Sequence, residues 1–206
     1  MTTWAVIPVK HLRSGKSRLS AVLSPQARES FSRRLLKRTV SLLACSAVIE
    51  RTLVISRDDM ALQLARDQGA FTVIEPSTSD LNSALQKASQ VAVSLGATGV
   101  LVLPSDLPLL GENDVEALAG ANGSERIVVL APDRHGTGTN ALFVRPPGLL
   151  RYRFGEGSLA AHQRQARSQG ATVRIRRLPG VAFDVDDPDD LHRLQSMKAE
   201  FGYVET

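Results

Sequence analysis

With one cysteine in 206 residues, this chain has no internal disulfide framework, and its fold must rest on packing alone. Cys45 lies in the apolar run Leu42 to Val48 and is expected to be inert core. The lack of disulfides fits a reducing compartment, so a cytoplasmic location is expected. Aromatic residues make up only 4% of the chain, too few to form stacking platforms along a nucleic acid. No uninterrupted apolar run approaches membrane length, and the first residues show no basic leader ahead of an apolar core. Neither a membrane anchor nor a secretion signal is therefore expected. Histidine is also scarce: His11, His135, His162 and His192 are scattered, which suggests neither a His-built metal site nor a histidine general base.

What is present is a mild basic surplus, +4 from 25 Lys plus Arg against 21 Asp plus Glu. The cations gather at 10–18, 33–38 and 174–177. The middle group falls in a helical pattern and reads as a solvated face. The first suits small anionic ligands such as nucleotide phosphates better than DNA or RNA. A length of 206 residues suits one domain, 1–206, with a full-sized core.

The segments alternate. Strands are expected at 4–9, 52–56, 71–74, 100–103, 127–130, 141–144 and 172–176. Helices are expected from Ser24-Pro25 to about Ala44, from Asp58 to Gly69, from Asp80 to Leu95, at 112–118, at 158–169 and from Pro188 to about Met197. This order predicts an α/β protein of three layers, with a mostly parallel central sheet covered on both faces. Residues 131–157, rich in Gly and Pro, break the alternation and read as a substrate-binding insertion.

The run Leu101-Val-Leu-Pro-Ser-Asp106-Leu-Pro places one carboxylate at the end of a buried strand. Open α/β sheets bind ligands at that end of their strands. Asp106 is thus a candidate ligand for a divalent cation carrying phosphates; the alternative is a cap for the helix that starts near Gly111. Asp184 and Asp186, one residue apart in extended chain, point to one side and could supply the rest of a magnesium site. Asp187-Pro188 with Asp189 and Asp190 is explained by helix initiation alone.

Gly15-Lys16-Ser17 invites a P-loop reading, but position 10 is Lys where that motif requires glycine, and helical signals resume only at Ser24. The loop instead offers Lys10, Arg13, Lys16 and Arg18 to a triphosphate, with Lys16 and Arg18 neutralising a leaving pyrophosphate. Further on, Arg134-His-Gly-Thr-Gly-Thr139-Asn140 and Phe154-Gly155-Glu-Gly-Ser158 set glycines beside hydroxyls, a composition suited to a carboxylate or phosphate. Ser158 would also serve as an N-cap.

Taken in order, Ile7-Pro-Val-Lys10-His-Leu12 with Lys16-Ser-Arg18-Leu19, Pro104-Ser-Asp106-Leu-Pro108, Asp133 to Leu142, Phe154 to Ser158 and Phe183-Asp-Val-Asp186 resemble the phosphoenolpyruvate or 2-phospho-L-lactate guanylyltransferases of deazaflavin coenzyme (F-420) biosynthesis. The resemblance spans almost the whole chain and implies a nucleotide-diphospho-sugar transferase-like, glycosyltransferase-A-like fold. It implies Mg2+ on Asp106, Asp184 and Asp186, with Asp106 and Lys16 as catalytic residues. It implies that Thr139, Gly155 and Ser158 bind the carboxylate of a phosphorylated three-carbon acid, and that Asn82, at a helix start, contacts the nucleotide. Position 156 is Glu where proline or another small residue is expected, which adds a negative charge beside an anion site.

The reaction so implied transfers GMP from GTP to the phosphate of phosphoenolpyruvate, with release of pyrophosphate. A phosphate dianion is a competent nucleophile near neutral pH, so no general base is required. The partners expected are GTP and the phosphoacid, with neither nucleic acid nor membrane, and an unstable product is passed to the next enzyme. Alternative acceptors are 2-phospho-L-lactate and 3-phosphoglycerate. Two further readings are a cytidylyl-, molybdopterin- or sugar-nucleotidyltransferase and a non-catalytic nucleotide-binding protein on the same scaffold.

Overall fold

Side chains of the first strand alternate between two apolar layers, and this alternation organises the molecule. The computed structural model describes residues 2–76, 80–120 and 125–197. Strand β1 (Thr3–Val9) sends Ala5, Ile7 and Val9 to one layer, and Trp4 and Val6 to the other. The first layer is covered by helices α1 (Pro25–Cys45), α2 (Asp59–Asp67) and α4 (Glu112–Ala119). The second is covered by α3 (Leu81–Ser94) and α5 (Ser158–Ser168). Leu36 of α1 is completely buried in the first layer. Leu36→Ala should therefore destabilise the protein by about 2–5 kcal/mol, read as a lower denaturant midpoint at unchanged slope.

The remaining strands are β2 (Arg51–Ser56), β3 (Phe71–Ile74), β4 (Gly99–Val102), β5 (Ile127–Pro132), β6 (Thr139–Arg145) and β7 (Thr172–Ile175). They form one sheet in the order β3-β2-β1-β4-β6-β5-β7. Only β6 runs antiparallel, to both of its neighbours. The sheet is thus mostly parallel, as the alternation predicts. It grows in one direction from β1 to β2 and β3, and in the other from β1 to β4. The β1/β4 boundary is therefore the switch point at which such sheets hold ligands. Pairing between these strands ends at Val6 with Val102, followed by one bond from Leu103 N–H to the Val6 carbonyl. Pro8 lies past that point, so its missing N–H leaves no gap in the β4 ladder.

Two small elements escaped the sequence reading: a 3-10 turn at Ser17–Ala21 and helix α6 (Pro179–Ala182). The 3-10 turn, α1, the 183–185 segment and α7 (Pro188–Met197) build a third apolar cluster from Leu19, Phe31, Leu35, Phe183, Val185, Leu191 and Leu194. That cluster seats the loops of the site. Within residues 131–157, the Gly-rich stretch Asp133 to Gly138 is the turn between β5 and β6, and β6 is a central strand. Two expectations are corrected. Ser158 is not the cap of α5; Gly157 takes that position in the left-handed region and Ser158 is the first helical residue. Cys45 is exposed, because two residues of helix turn it away from buried Leu43. Among the described residues no helix is long and apolar enough to cross a membrane.

Candidate active site

The loop after β1 and the turn after β4 meet over the switch point. Asp58, which caps α2 by accepting from Met60 N–H (2.9 Å) and Ala61 N–H (3.4 Å), also accepts from Leu12 N–H at 2.7 Å. One buried carboxylate thus pins the basic loop to the sheet. Gly15 donates to the His11 carbonyl at 2.7 Å, and a Cβ there would lie 2.9 Å from that oxygen, so the turn requires glycine. Lys16 follows in the left-handed region (φ 52°) and opens the 3-10 turn. Leu19, fully buried, anchors that turn in the third cluster.

This geometry drives the Lys16 side chain inward. Its ammonium donates to Asp106 Oδ2 (2.8 Å), the Val185 carbonyl (2.6 Å) and Asp186 Oδ1 (3.4 Å). Burial opposes the charge on Lys16, but attraction and hydrogen bonds from Asp106, then Asp186, overcome it and hold its pKa above 10.5. Asp106 does not cap α4. That helix starts at Gly111, whose N–H donates to Asp114 Oδ2 at 3.0 Å. The turn carrying Asp106 is instead held from α1, where Arg38 donates to the Leu110 carbonyl (2.7 Å) and Thr39 to the Ser105 carbonyl (3.4 Å).

Asp184 and Asp186 flank Val185, which is fully buried in the third cluster while both acids remain partly exposed. Val185 N–H reaches the Asp106 carbonyl at 3.4 Å and holds the two segments side by side. Asp184 is raised above its ordinary 3.8, first by burial and then by the like charges of Asp106 and Asp186. Asn140 donates to the Val181 carbonyl at 2.9 Å and to Asp184 Oδ1 at 3.5 Å. Among the described residues, no group of three or more His, Cys, Asp or Glu is arranged to hold an ion by itself. The three acids are nevertheless hard oxygen donors around one surplus of negative charge. Mg2+ binds through one or two carboxylates and completes its shell with water and phosphates, so the donor set fits it.

Asp190 does more than start a helix. Buried, it pairs through both oxygens with Arg134 and accepts from Asp186 N–H (3.0 Å) and Asp187 N–H (3.2 Å). Burial would raise its pKa, but Arg134 and the two amides outweigh burial and lower it. The β5–β6 turn is thereby tied to the segment that carries Asp186. The sequence signal was only an acid at the positive end of a helix dipole; its second role required Arg134 to arrive from 56 residues away.

A second locus lies where the 153–158 loop meets β6 and α5. Gly155 (φ 129°) and Gly157 (φ 65°) hold backbone conformations that side chains rarely adopt. Asn82, at the start of α3, donates to the Phe154 carbonyl (3.2 Å) and accepts from Phe154 N–H (2.7 Å), so its amide clamps this loop. Asn82 also lines a cleft of about 470 Å³ with Ser83, Gln86, Gln90, Arg151 and Tyr152. Buried His162 sits between Thr139 Oγ1 (Nδ1, 3.2 Å) and Arg153 N–H (Nε2, 3.0 Å). Burial, helped by the Arg153 charge, pushes its pKa down to about 4. The unfolded chain binds a proton near 6.5 that the folded protein refuses until about pH 4. Stability should therefore fall by up to about 3 kcal/mol as pH drops through that window. Urea titrations at pH 7 and pH 4.5 check this, and His162→Asn should flatten the difference.

Of the basic-loop candidates only Lys16 reaches the acids. Lys10 and Arg18 stay exposed at the loop surface, and Arg13 pairs with Glu29 of α1 at 3.0 Å.

This arrangement can be set beside known proteins. The family model described as "Guanylyl transferase CofC like" matches residues 3–198. The chain belongs to that family. A phosphoenolpyruvate guanylyltransferase of Rubrobacter xylanophilus is 43% identical over 95% of both chains. A 2-phospho-L-lactate guanylyltransferase of Methanothermobacter thermautotrophicus is 36% identical over 93% of this chain and 83% of its own. Among solved structures, a nucleotidyl transferase of Methanothermobacter superposes with TM-score 0.67 at 13% identity, over 95% of this chain and 97% of that one. CMP:2-keto-3-deoxy-manno-octonic acid synthetase complexed with CTP gives 0.64 at 13% identity, over 97% and 99%. The chain is thus a guanylyltransferase-family enzyme on the nucleotide-diphospho-sugar transferase fold, acting on a nucleotide and a phosphorylated acid.

Proposed function

We propose that this member of the CofC-like family transfers GMP from GTP to the phosphate of phosphoenolpyruvate and releases pyrophosphate. The observation that carries the reading is the Lys16–Asp106–Asp186 contact at the switch point, with Thr139 of β6 joined through His162 to the helix that starts at Ser158. The relative of Rubrobacter xylanophilus, alike over nearly its whole length, bears that name and supports this acceptor.

An acceptor phosphate oxygen forms a bond to the α-phosphorus as the bond from that phosphorus to the β-bridging oxygen breaks. The electron pair departs with pyrophosphate, and no proton has to be removed from the nucleophile. Asp106, Asp184 and Asp186 would hold Mg2+, and when bound the metal supplies charge neutralisation on the phosphates. Lys16 is the one cation of the basic loop already delivered to that place, and it stabilises negative charge developing there. Thr139, Gly155 and Ser158 orient the acceptor through its carboxylate, which sets the phosphate for attack. Asn82 acts on this loop through its clamp on Phe154, beside any contact to the nucleotide.

The product is a pyrophosphate diester, with guanosine on one phosphorus and the enol of pyruvate on the other, and transfer to a following enzyme of deazaflavin coenzyme synthesis in the cytoplasm completes the reading. Pyrophosphate release with Mg2+ and GTP, CTP or ATP against phosphoenolpyruvate, 2-phospho-L-lactate and 3-phosphoglycerate tests it. Release that requires both GTP and phosphoenolpyruvate is expected. Selective use of 2-phospho-L-lactate would replace the acceptor, and silence with folded protein would sink the reading.

A further inference from the structure

We infer that His162 is a positioning residue that fixes the Thr139 hydroxyl as a donor to the acceptor's carboxylate and so sets selectivity for phosphorylated acids over simple phosphate esters. The inference rests on the acceptor reading above. It starts from a buried side chain that the reaction itself does not use.

A backbone N–H can only donate. His162 Nε2 lies 3.0 Å from Arg153 N, so this nitrogen is the acceptor and carries no hydrogen. The neutral ring, which burial enforces, must then bear its proton on Nδ1. Nδ1 lies 3.2 Å from Thr139 Oγ1, so the histidine donates and the hydroxyl oxygen accepts. No other side-chain partner of Thr139 exists among the described residues, and its own O–H proton remains to be given. A site that presents only a donor selects an acceptor-only group such as a carboxylate.

The same ring organises the rest of the locus. Its edge packs on Phe154 with ring centroids 5.1 Å apart, and Phe154 is the residue whose backbone Asn82 clamps. Ser158 and His162 are one helical turn apart on the buried face of α5. Leu159 N–H bonds the Thr137 carbonyl at 3.2 Å and fixes the helix start against the β5–β6 turn. Thr139, Gly155 and Ser158 therefore meet around His162.

The test compares wild type, His162→Phe, His162→Asn and Thr139→Val on phosphoenolpyruvate and on vinyl phosphate, the same enol phosphate without its carboxylate. His162→Phe should lower the kcat/KM preference for phosphoenolpyruvate about tenfold or more, through the acceptor KM, with the KM for GTP unmoved. His162→Asn, which keeps a donor near Nδ1, should recover part of the preference, and adding Thr139→Val to His162→Phe should cost little more. In the wild-type protein, 15N NMR should find Nδ1 protonated and Nε2 bare. Equal losses on both acceptors, an unchanged preference, or a protonated Nε2 would each overturn the inference while wild-type activity on phosphoenolpyruvate leaves the acceptor reading standing. Wild type inert on both acceptors overturns the acceptor reading, and this inference with it.

Discussion

Asp106→Asn should lower pyrophosphate release by about a thousandfold or more while leaving the fold intact. The substitution keeps the shape of the side chain and removes the charge. That charge is the nearest anion to the Lys16 ammonium and the carboxylate of the site supplied by the β4 end. Among the described residues the side-chain partner of its carboxylate is Lys16, and the turn itself is held through its carbonyls by the side chains of Arg38 and Thr39 and by Val185 N–H. The folding contribution of the side chain is therefore small, and the loss falls on the transition state, where charge neutralisation at a transferring phosphorus is worth several kcal/mol. Initial rates at saturating GTP and acceptor, with a thermal melt on the same sample, check both halves. Asp186→Asn should behave alike. A variant that keeps near-normal turnover would remove its residue from the metal site.

Lys16→Met should cost roughly a hundredfold to a thousandfold in turnover. The methionine retains the apolar stem in the loop but withdraws three donors, from Asp106, Asp186 and the Val185 carbonyl. Leaving two carboxylates without their cation should also destabilise the protein. Both acids are partly open to solvent, which screens their charges and limits the loss to about 1 kcal/mol. Added Mg2+ should then raise the melting temperature of the variant more than that of wild type, because the ion replaces an ammonium the variant lacks. Equal Mg2+ responses in the two proteins would show that Lys16 and the metal do not share the acids.

These effects turn on a contact that no local pattern displays. Asp106 was legible as a site residue because an acid between two prolines, at the end of an apolar run, has few structural duties. Asp184 and Asp186 were legible because Asp187, Pro188 and Asp190 already explained the helix start. The same economy concealed Asp190, whose place at the helix start satisfied the sequence while both of its oxygens served Arg134. His162 was passed over for want of a sequence neighbour; its partners are Thr139 on β6 and the Arg153 amide. Cys45 was misplaced because an apolar run hides which of its residues the helix turns outward.

The sequence by itself determined the alternation of strands and helices, and so the mostly parallel sheet and the strand end that holds Asp106. Period and capping are local properties, set within a few residues of each element. The motifs spread over the chain were also enough to point to the guanylyltransferase family. Only the tertiary structure decided that β6 enters antiparallel beside β4, that Lys16 rather than Arg13 or Arg18 reaches the acids, and that Asn82 and His162 clamp the 153–158 loop. Those outcomes depend on which distant segments share a layer. Buried polar groups must find partners wherever the packing places them, and one chain offers many.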